Sequence, residues 1–258
     1  MKKKSLLLAV TAFLSVMVLP QNALFDRQMQ VGFEEKQGQY VNLETKLINE
    51  NGDTVRLKDV ITKPTILSMV YYRCPGTCSP LMWGMSKFID EMDLKPGRDY
   101  QVLTISFDHT ENIELGKKKK ASYINNMNNK EAAQEWQFFV ADSSQIAALS
   151  KSVGFHFREV NGQYVHPTGL VALASDGKIT RYLRGIDFLP FDIKITMIEA
   201  ADGKVGPSIN RLLAICYSYD STGNQYVFNV TRVSAILISF FIAMFLGYLI
   251  LRPRLKRA

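Results

Sequence analysis

The sequence predicts an α/β domain on a mixed sheet, and three observations carry the prediction. Residues 65–71 (TILSMVY) and 101–107 (QVLTISF) are apolar, β-branched runs on either side of an amphipathic segment at 79–92. Continuous runs of that kind suit strands buried on both faces, and strand–helix–strand order suits a parallel pair. Further along, residues 169–174 and 179–184 flank Asp176-Gly177, which is a hairpin signal.

Each element has its own local reason. Between Leu43 and Leu57 an Asn51-Gly52 turn separates two short strands, a β-hairpin lead-in. The strand at 65–71 runs into Cys74-Pro75-Gly76-Thr77-Cys78 and then the helix at 79–92, which Pro96-Gly97 ends. Strand 101–107 follows, and residues 111–135 are polar and helical in part. Residues 136–141 read as a strand. Asp142 and Ser143 cap a helix whose Ile146, Leu149 and Val153 fall at helical spacing. A loop holding His156 and His166 leads to the hairpin, and a helix over 190–201 packs back on the sheet. A parallel βαβ half followed by an antiparallel hairpin and helix is the thioredoxin-like architecture. It is expected over 31–205. No internal repeat, Walker-type loop or dinucleotide fingerprint occurs in the sequence.

The ends predict export and anchoring. Lys2, Lys3 and Lys4 at the start, with Arg252, Arg254, Lys256 and Arg257 at the end, account for the whole formal charge of +7. The body between them is neutral and offers no field for nucleic acid. The basic start and the apolar stretch at 5–19 read as a signal peptide over 1–23, with Gln21 a poor fit at the cleavage site. Residues 233–251 (VSAILISFFIAMFLGYLIL) carry no charge and predict a C-terminal transmembrane helix. A juxtamembrane segment at 206–232 would precede it, and a basic cytoplasmic tail at 252–258 would follow. This places the globular domain in the periplasm or another extracytoplasmic space, on a single span of the inner membrane.

Chemistry concentrates in the cysteines. Three cysteines are too few for a disulfide framework, so Cys74 and Cys78 suit a site. A helix mouth favours the thiolate, the form that binds metals and attacks disulfides. Four-residue spacing sets both thiols on one face, able to close on one soft metal ion or to oxidise together. The extra residue relative to Cys-x-x-Cys tilts the motif toward metal. His166, just before the strand that opens the hairpin, can complete an S₂N set. Thiolates select Cu(I) and imidazole suits Cu(II), so copper is the expected cofactor. Structural zinc asks for a fourth ligand that the spacing does not supply.

The remaining candidates are weaker. Asp108 and His109 end strand 101–107 at the same sheet edge, which makes Asp108 a candidate to hydrogen-bond a ligand from behind and hold its orientation. His109 is an auxiliary ligand or, in the preferred reading, a polar surface residue. His156 reads as structural or exposed. Met82 and Met85 read as core packing and the Lys117–Lys120 run as a solvated helix face. Cys216 is either an inert thiol or a visitor to a partner's copper or to the Cys74–Cys78 pair.

The chain resembles the Sco/SenC family over roughly 31–201. The resemblance rests on Gly52-Asp-Thr-Val-Arg-Leu57, on Tyr71-Tyr72-Arg73-Cys74-Pro75-Gly76-Thr77-Cys78, on Ser106-Phe107-Asp108 and on His166. It implies a copper-binding protein that delivers copper to the dinuclear site of cytochrome c oxidase, or helps assemble it. The oxidase subunit bearing that site, or another copper or thiol partner, would be its acceptor. Carried over, Cys74, Cys78 and His166 are the ligands and Asp108 a neighbour. Some members act as thiol–disulfide reductants, and Cys74 with Cys78 as a redox pair is the alternative. Two departures stand out: familiar members carry an N-terminal anchor, and Pro167 occupies the place where thioredoxin-like redox proteins often carry a cis-proline.

Overall fold

The computed structural model describes residues 31–206, the strands at 217–220 and 225–228, and scattered helical positions between 234 and 248. Its core is a five-stranded sheet. The central strands β4 (Thr65–Val70), β5 (Gln101–Ser106) and β6 (Trp136–Phe139) are parallel, with Val70 level with Ser106 and Ile105 level with Phe139. Strands β10 (Gly169–Leu173) and β11 (Ile179–Arg184) extend it antiparallel from β4, giving the order β11-β10-β4-β5-β6. Every residue of β4, β5 and β10 is buried, as strands covered on both faces require.

Helices cover the sheet. α2 (Cys78–Glu91) buries Leu81, Met82, Met85, Phe88 and Ile89, the side on which its apolar residues recur. α6 (Pro190–Ala201) starts with proline at its first turn, where the missing N–H costs no helix bond. α5 (Ser143–Val153) opens on Asp142, whose carboxylate accepts the Gln145 N–H at 3.0 Å. It closes on Gly154 at φ 71°, where a Cβ would meet the Glu34 carbonyl. The polar stretch 111–135 resolves into α3 (Ile113–Ile124) and α4 (Lys130–Gln134). On α3 the lysine run is not a uniform solvated face. Lys120 is buried and bonds both oxygens of Glu50, at 2.9 and 3.0 Å.

Strands β2 (Lys46–Ile48) and β3 (Thr54–Arg56) form the lead-in hairpin and run into the one-turn α1 (Leu57–Val60). Three pairings were not expected. β1 (Gly32–Phe33) pairs with β7 (Phe155–His156). β8 (Arg158–Val160) and β9 (Gln163–Val165) form a hairpin where a loop was expected. β12 (Tyr217–Asp220) and β13 (Gln225–Phe228) pair within the segment expected to be juxtamembrane.

The transmembrane helix expected over 233–251 requires correction. Among the described residues no helix is long and apolar enough to cross a membrane. The longest of them, α2, has 14 residues. At about 1.5 Å per residue it reaches about 21 Å, short of the ~30 Å hydrocarbon core. The signal peptide over 1–23, the tail over 252–258 and Cys216 lie outside the described residues.

Candidate metal centre

The sheet register brings the site together. Beyond Val70 the chain leaves β4, turns through residues 71–77 and enters α2 at Cys78. Because Leu170 lies opposite Ser68 and Val171 opposite Leu67, the chain before Gly169 runs beside the chain beyond Val70. His166 therefore comes alongside the cysteine turn. The Thr168 hydroxyl donates to that of Thr77 at 3.0 Å and ties the two segments.

Three ligand atoms converge there. Nε2 of His166 lies 3.6 Å from Cys78 Sγ and 4.0 Å from Cys74 Sγ, and all three ligand atoms fall within 4.8 Å of one another. Both cysteines are buried free thiols. Metal–sulfur bonds of about 2.3 Å and metal–nitrogen bonds of about 2.0 Å at trigonal angles would hold sulfur and nitrogen about 3.7 Å apart. The observed spacings bracket that value, so the donor set fits one soft ion without rebuilding the loop. Two thiolates with one imidazole are a donor set that suits copper.

The histidine is oriented for this role. Its Nδ1 donates to the Pro167 carbonyl at 2.9 Å, leaving the Nε2 lone pair directed at the thiols. Its ring is walled by Phe107, at 5.2 Å between centroids, and meets Tyr71 edge-on at 5.7 Å. Phe155 stands 6.3 Å away on the same ring. The peptide bond before Pro167 is trans.

The two thiols divide the charge. The hydrogen bond from the Cys78 thiol first, then the neighbouring His166 ring and the N–H groups of Cys78 and Gly76, pull the Cys74 pKa down to about 3 against the effect of burial. The Gly76 N–H reaches Cys74 Sγ at 3.3 Å. Cys78, which donates to Cys74 and is itself buried, is pushed up. The pair thus favours one thiolate and one thiol before any metal arrives. Tyr71 is pushed up to about 12, by burial and then by its hydrogen bond with Cys74.

Other expected residues fall elsewhere. Asp108 is buried at the right sheet edge, but its Oδ1 accepts the N–H and hydroxyl of Thr110, at 2.9 and 2.7 Å. No direct bond joins it to a ligand. His109 is exposed and stands outside the ligand group. His156 pairs with Glu34 at 3.0 Å on the surface. Met82 and Met85 are buried in the core.

Sequence reasoning missed Glu111. Its carboxylate accepts the N–H groups of Tyr72 and Arg73, the two residues before Cys74, at 2.6 and 2.7 Å. An acidic residue three positions after Asp108 gives no pattern that announces this.

Fold and site together define a class: a thioredoxin-like α/β domain with a Cys-x-x-x-Cys turn and a distal histidine poised on one point. The SCO1/SenC family model matches residues 34–185, and the chain belongs to that family. Among solved structures, an electron-transfer candidate from Aquifex aeolicus VF5 superposes with TM-score 0.59 and 24% identity, over 65% of this chain and 95% of that one. BsSco, described as having a disulfide switch and as a member of the Sco family of cytochrome c oxidase assembly proteins, follows at TM-score 0.51 and 17% identity, over 66% and 96%. Bradyrhizobium japonicum ScoI, solved with copper bound, gives TM-score 0.48 and 18% identity, over 65% and 99%. The comparison with curated proteins finds no match.

Proposed function

We propose that this protein binds a single copper ion through Cys74, Cys78 and His166 and passes it to the copper-bearing subunit of cytochrome c oxidase during assembly. Membership of the SCO1/SenC family supports the process, and the convergence of the three ligand atoms within 4.8 Å supports the cargo. Thiolate and imidazole ligands are monodentate, and Cys74 lies next to the exposed Pro75, Gly76 and Thr77. An acceptor cysteine can therefore approach from that side and take over the ligands one at a time. The basic start of the chain supports an extracytoplasmic place of work for the domain at 31–205.

The test is an anaerobic Cu(I) titration of the full chain against a competing chelator, beside a Cys74→Ser, Cys78→Ser double variant. One tightly held equivalent, lost in the variant, is the expected result. Weak binding in both would overturn the copper reading.

A second reading has its own supporting observation. A Cys74 thiolate beside a protonated Cys78 is the arrangement of an attacking and a resolving thiol. The thiolate attacks a substrate disulfide and releases one substrate thiolate. Cys78 then displaces the second substrate sulfur, closing a Cys74–Cys78 disulfide as the substrate is reduced by two electrons. Turnover on a disulfide substrate by the metal-free protein would favour it.

A further inference from the structure

We infer that Glu111 is a positioning residue for the Cys74–Cys78 turn, fixing the backbone that presents Cys74 to its metal. The inference rests on the copper reading above for its function, but on geometry for its content. Where β4 ends at Val70, the backbone loses its ladder partners while still inside the protein, for Tyr71 and Tyr72 are both buried. The Tyr72 N–H needs an acceptor, since an orphaned buried N–H is costly. Oε2 of Glu111 takes the Tyr72 N–H at 2.6 Å, and Oε1 takes the Arg73 N–H at 2.7 Å. Oε2 also receives the Ser106 hydroxyl at 2.7 Å, while the Arg73 guanidinium stands 3.9 Å from Oε1. The Glu111 side chain is wholly buried.

This carboxylate joins two strand ends. Ser106 closes β5, and residues 72–73 follow β4, so Glu111 holds the departing chain against the neighbouring strand. The turn that carries it is itself pinned: Asp108 accepts from Thr110, and the Thr110 carbonyl accepts from the Arg73 guanidinium at 3.1 Å. Asp108 thus acts on the site through Glu111 rather than by touching a ligand. Cys74 is the next residue along, with its N–H bonded to the Tyr71 carbonyl at 3.2 Å. A shift at 72–73 is carried straight to its Sγ. Groups that orient metal ligands typically set metal affinity by about 10- to 100-fold, and Glu111 would orient Cys74 through the backbone that carries it.

Glu111→Gln is the direct test, because it keeps the shape and replaces one acceptor by an NH₂ donor facing a backbone N–H. Glu50→Gln is the control. Glu50 accepts the Phe138 N–H at 3.0 Å and pairs with Lys120, with no bond to the cysteine turn. Three readouts are needed on the full chain: thermal midpoint, Cu(I) affinity by chelator competition, and the rate at which oxidised glutathione closes the Cys74–Cys78 disulfide. In that last reaction two protein thiols lose two electrons and two protons, and one oxidised glutathione becomes two reduced ones. The expected result is a lowered midpoint in both variants, with copper affinity about 10- to 100-fold weaker and an altered closure rate only in Glu111→Gln. Unchanged affinity and unchanged closure in Glu111→Gln would overturn the inference and leave Glu111 as a stability element. Should Glu111→Gln fail to fold, Ser106→Ala removes one bond to the same carboxylate. It should move both readouts in the same direction by less, and no movement would overturn the inference. Wild-type protein that binds no copper would sink the copper reading, while the closure rate would still decide the role of Glu111.

Discussion

Cys74 and Cys78 reach the metal centre from the middle of the sheet, whereas His166 reaches it from a surface hairpin. The cysteine turn springs from β4, buried along its whole length, and Glu111 holds its first two backbone donors. The histidine follows β8–β9, whose Val160 and Val165 are exposed by 38% and 43%. It is set instead by rings, Phe107 and Tyr71 above all, and by one bond to its own neighbour. One arm is thus held by directional hydrogen bonds in the core and the other by packing near the surface. On the proposed delivery role, in which an ion is held and later yielded, the difference assigns retention to the sulfur arm and adjustment to the imidazole arm.

Variants of the two arms separate these roles, and the sulfur arm gives the largest expected effect. Cys74→Ser removes the anionic ligand and should weaken Cu(I) binding by about 1,000-fold or more, which is about 4 kcal/mol. His166→Ala should cost less with Cu(I), which two thiolates hold well, and more with Cu(II), which imidazole suits. Comparable losses for both oxidation states, measured by competition with each ion, would break the division. Next comes Phe107→Ala, which empties a ring contacting Tyr71, Phe155, Phe157, Tyr164 and His166. It should lower folding stability by about 3–5 kcal/mol in denaturant titration. Its copper loss should resemble that of His166→Ala and not that of Cys74→Ser.

The pH dependence is smaller and has a definite sign. The fold depresses the Cys74 pKa to about 3. That contribution is present above the unfolded thiol value of about 8.5 and is lost as pH falls toward the folded value. Metal-free, reduced wild type should therefore gain stability over Cys74→Ser as pH rises from about 5 to 8, by at most about 1.4 kcal/mol per unit. Above about 9 the raised Cys78 reverses the trend, because the unfolded chain then releases a proton that the folded one keeps. Paired chemical-denaturation curves across that range check both limbs. The smallest effect belongs to the hairpin tip. Asn161 and Gly162 sit at φ 53° and 75°, and Gly162→Ala should cost about 1 kcal/mol through backbone strain alone. A copper affinity changed by less than threefold is the expected companion.

How much of this was legible in the sequence follows from what each signal measures. Strands β4 and β5 could be read because burial on both faces demands unbroken β-branched runs. The helix at 190–201 announces its start by Pro190, and the one at 143–153 by its cap, Asp142. The cysteine pair and His166 were legible because few residue types do that chemistry, although only the β4–β10 register brings them within reach. The β8–β9 hairpin was missed despite Asn161-Gly162, because its three-residue strands are too short to show alternation. The β1–β7 pair joins residues 32–33 to 155–156, and no local pattern records such a partner. Asp108 was placed at the correct edge but with the wrong contact. Its partner is Thr110, two residues on, and the carboxylate that reaches the cysteine turn is Glu111. Burial of a carboxylate is a property of the assembled sheet, which composition and spacing do not record.

On the copper reading, two sulfurs and one nitrogen of this chain share one copper ion. X-ray absorption at the copper edge of the Cu(I)-loaded full chain tests it most directly, with His166→Ala alongside. The account predicts a three-ligand shell of two sulfurs and one nitrogen, with the nitrogen lost in the variant. A wild-type shell with a single sulfur, or one whose nitrogen survives His166→Ala, would contradict it.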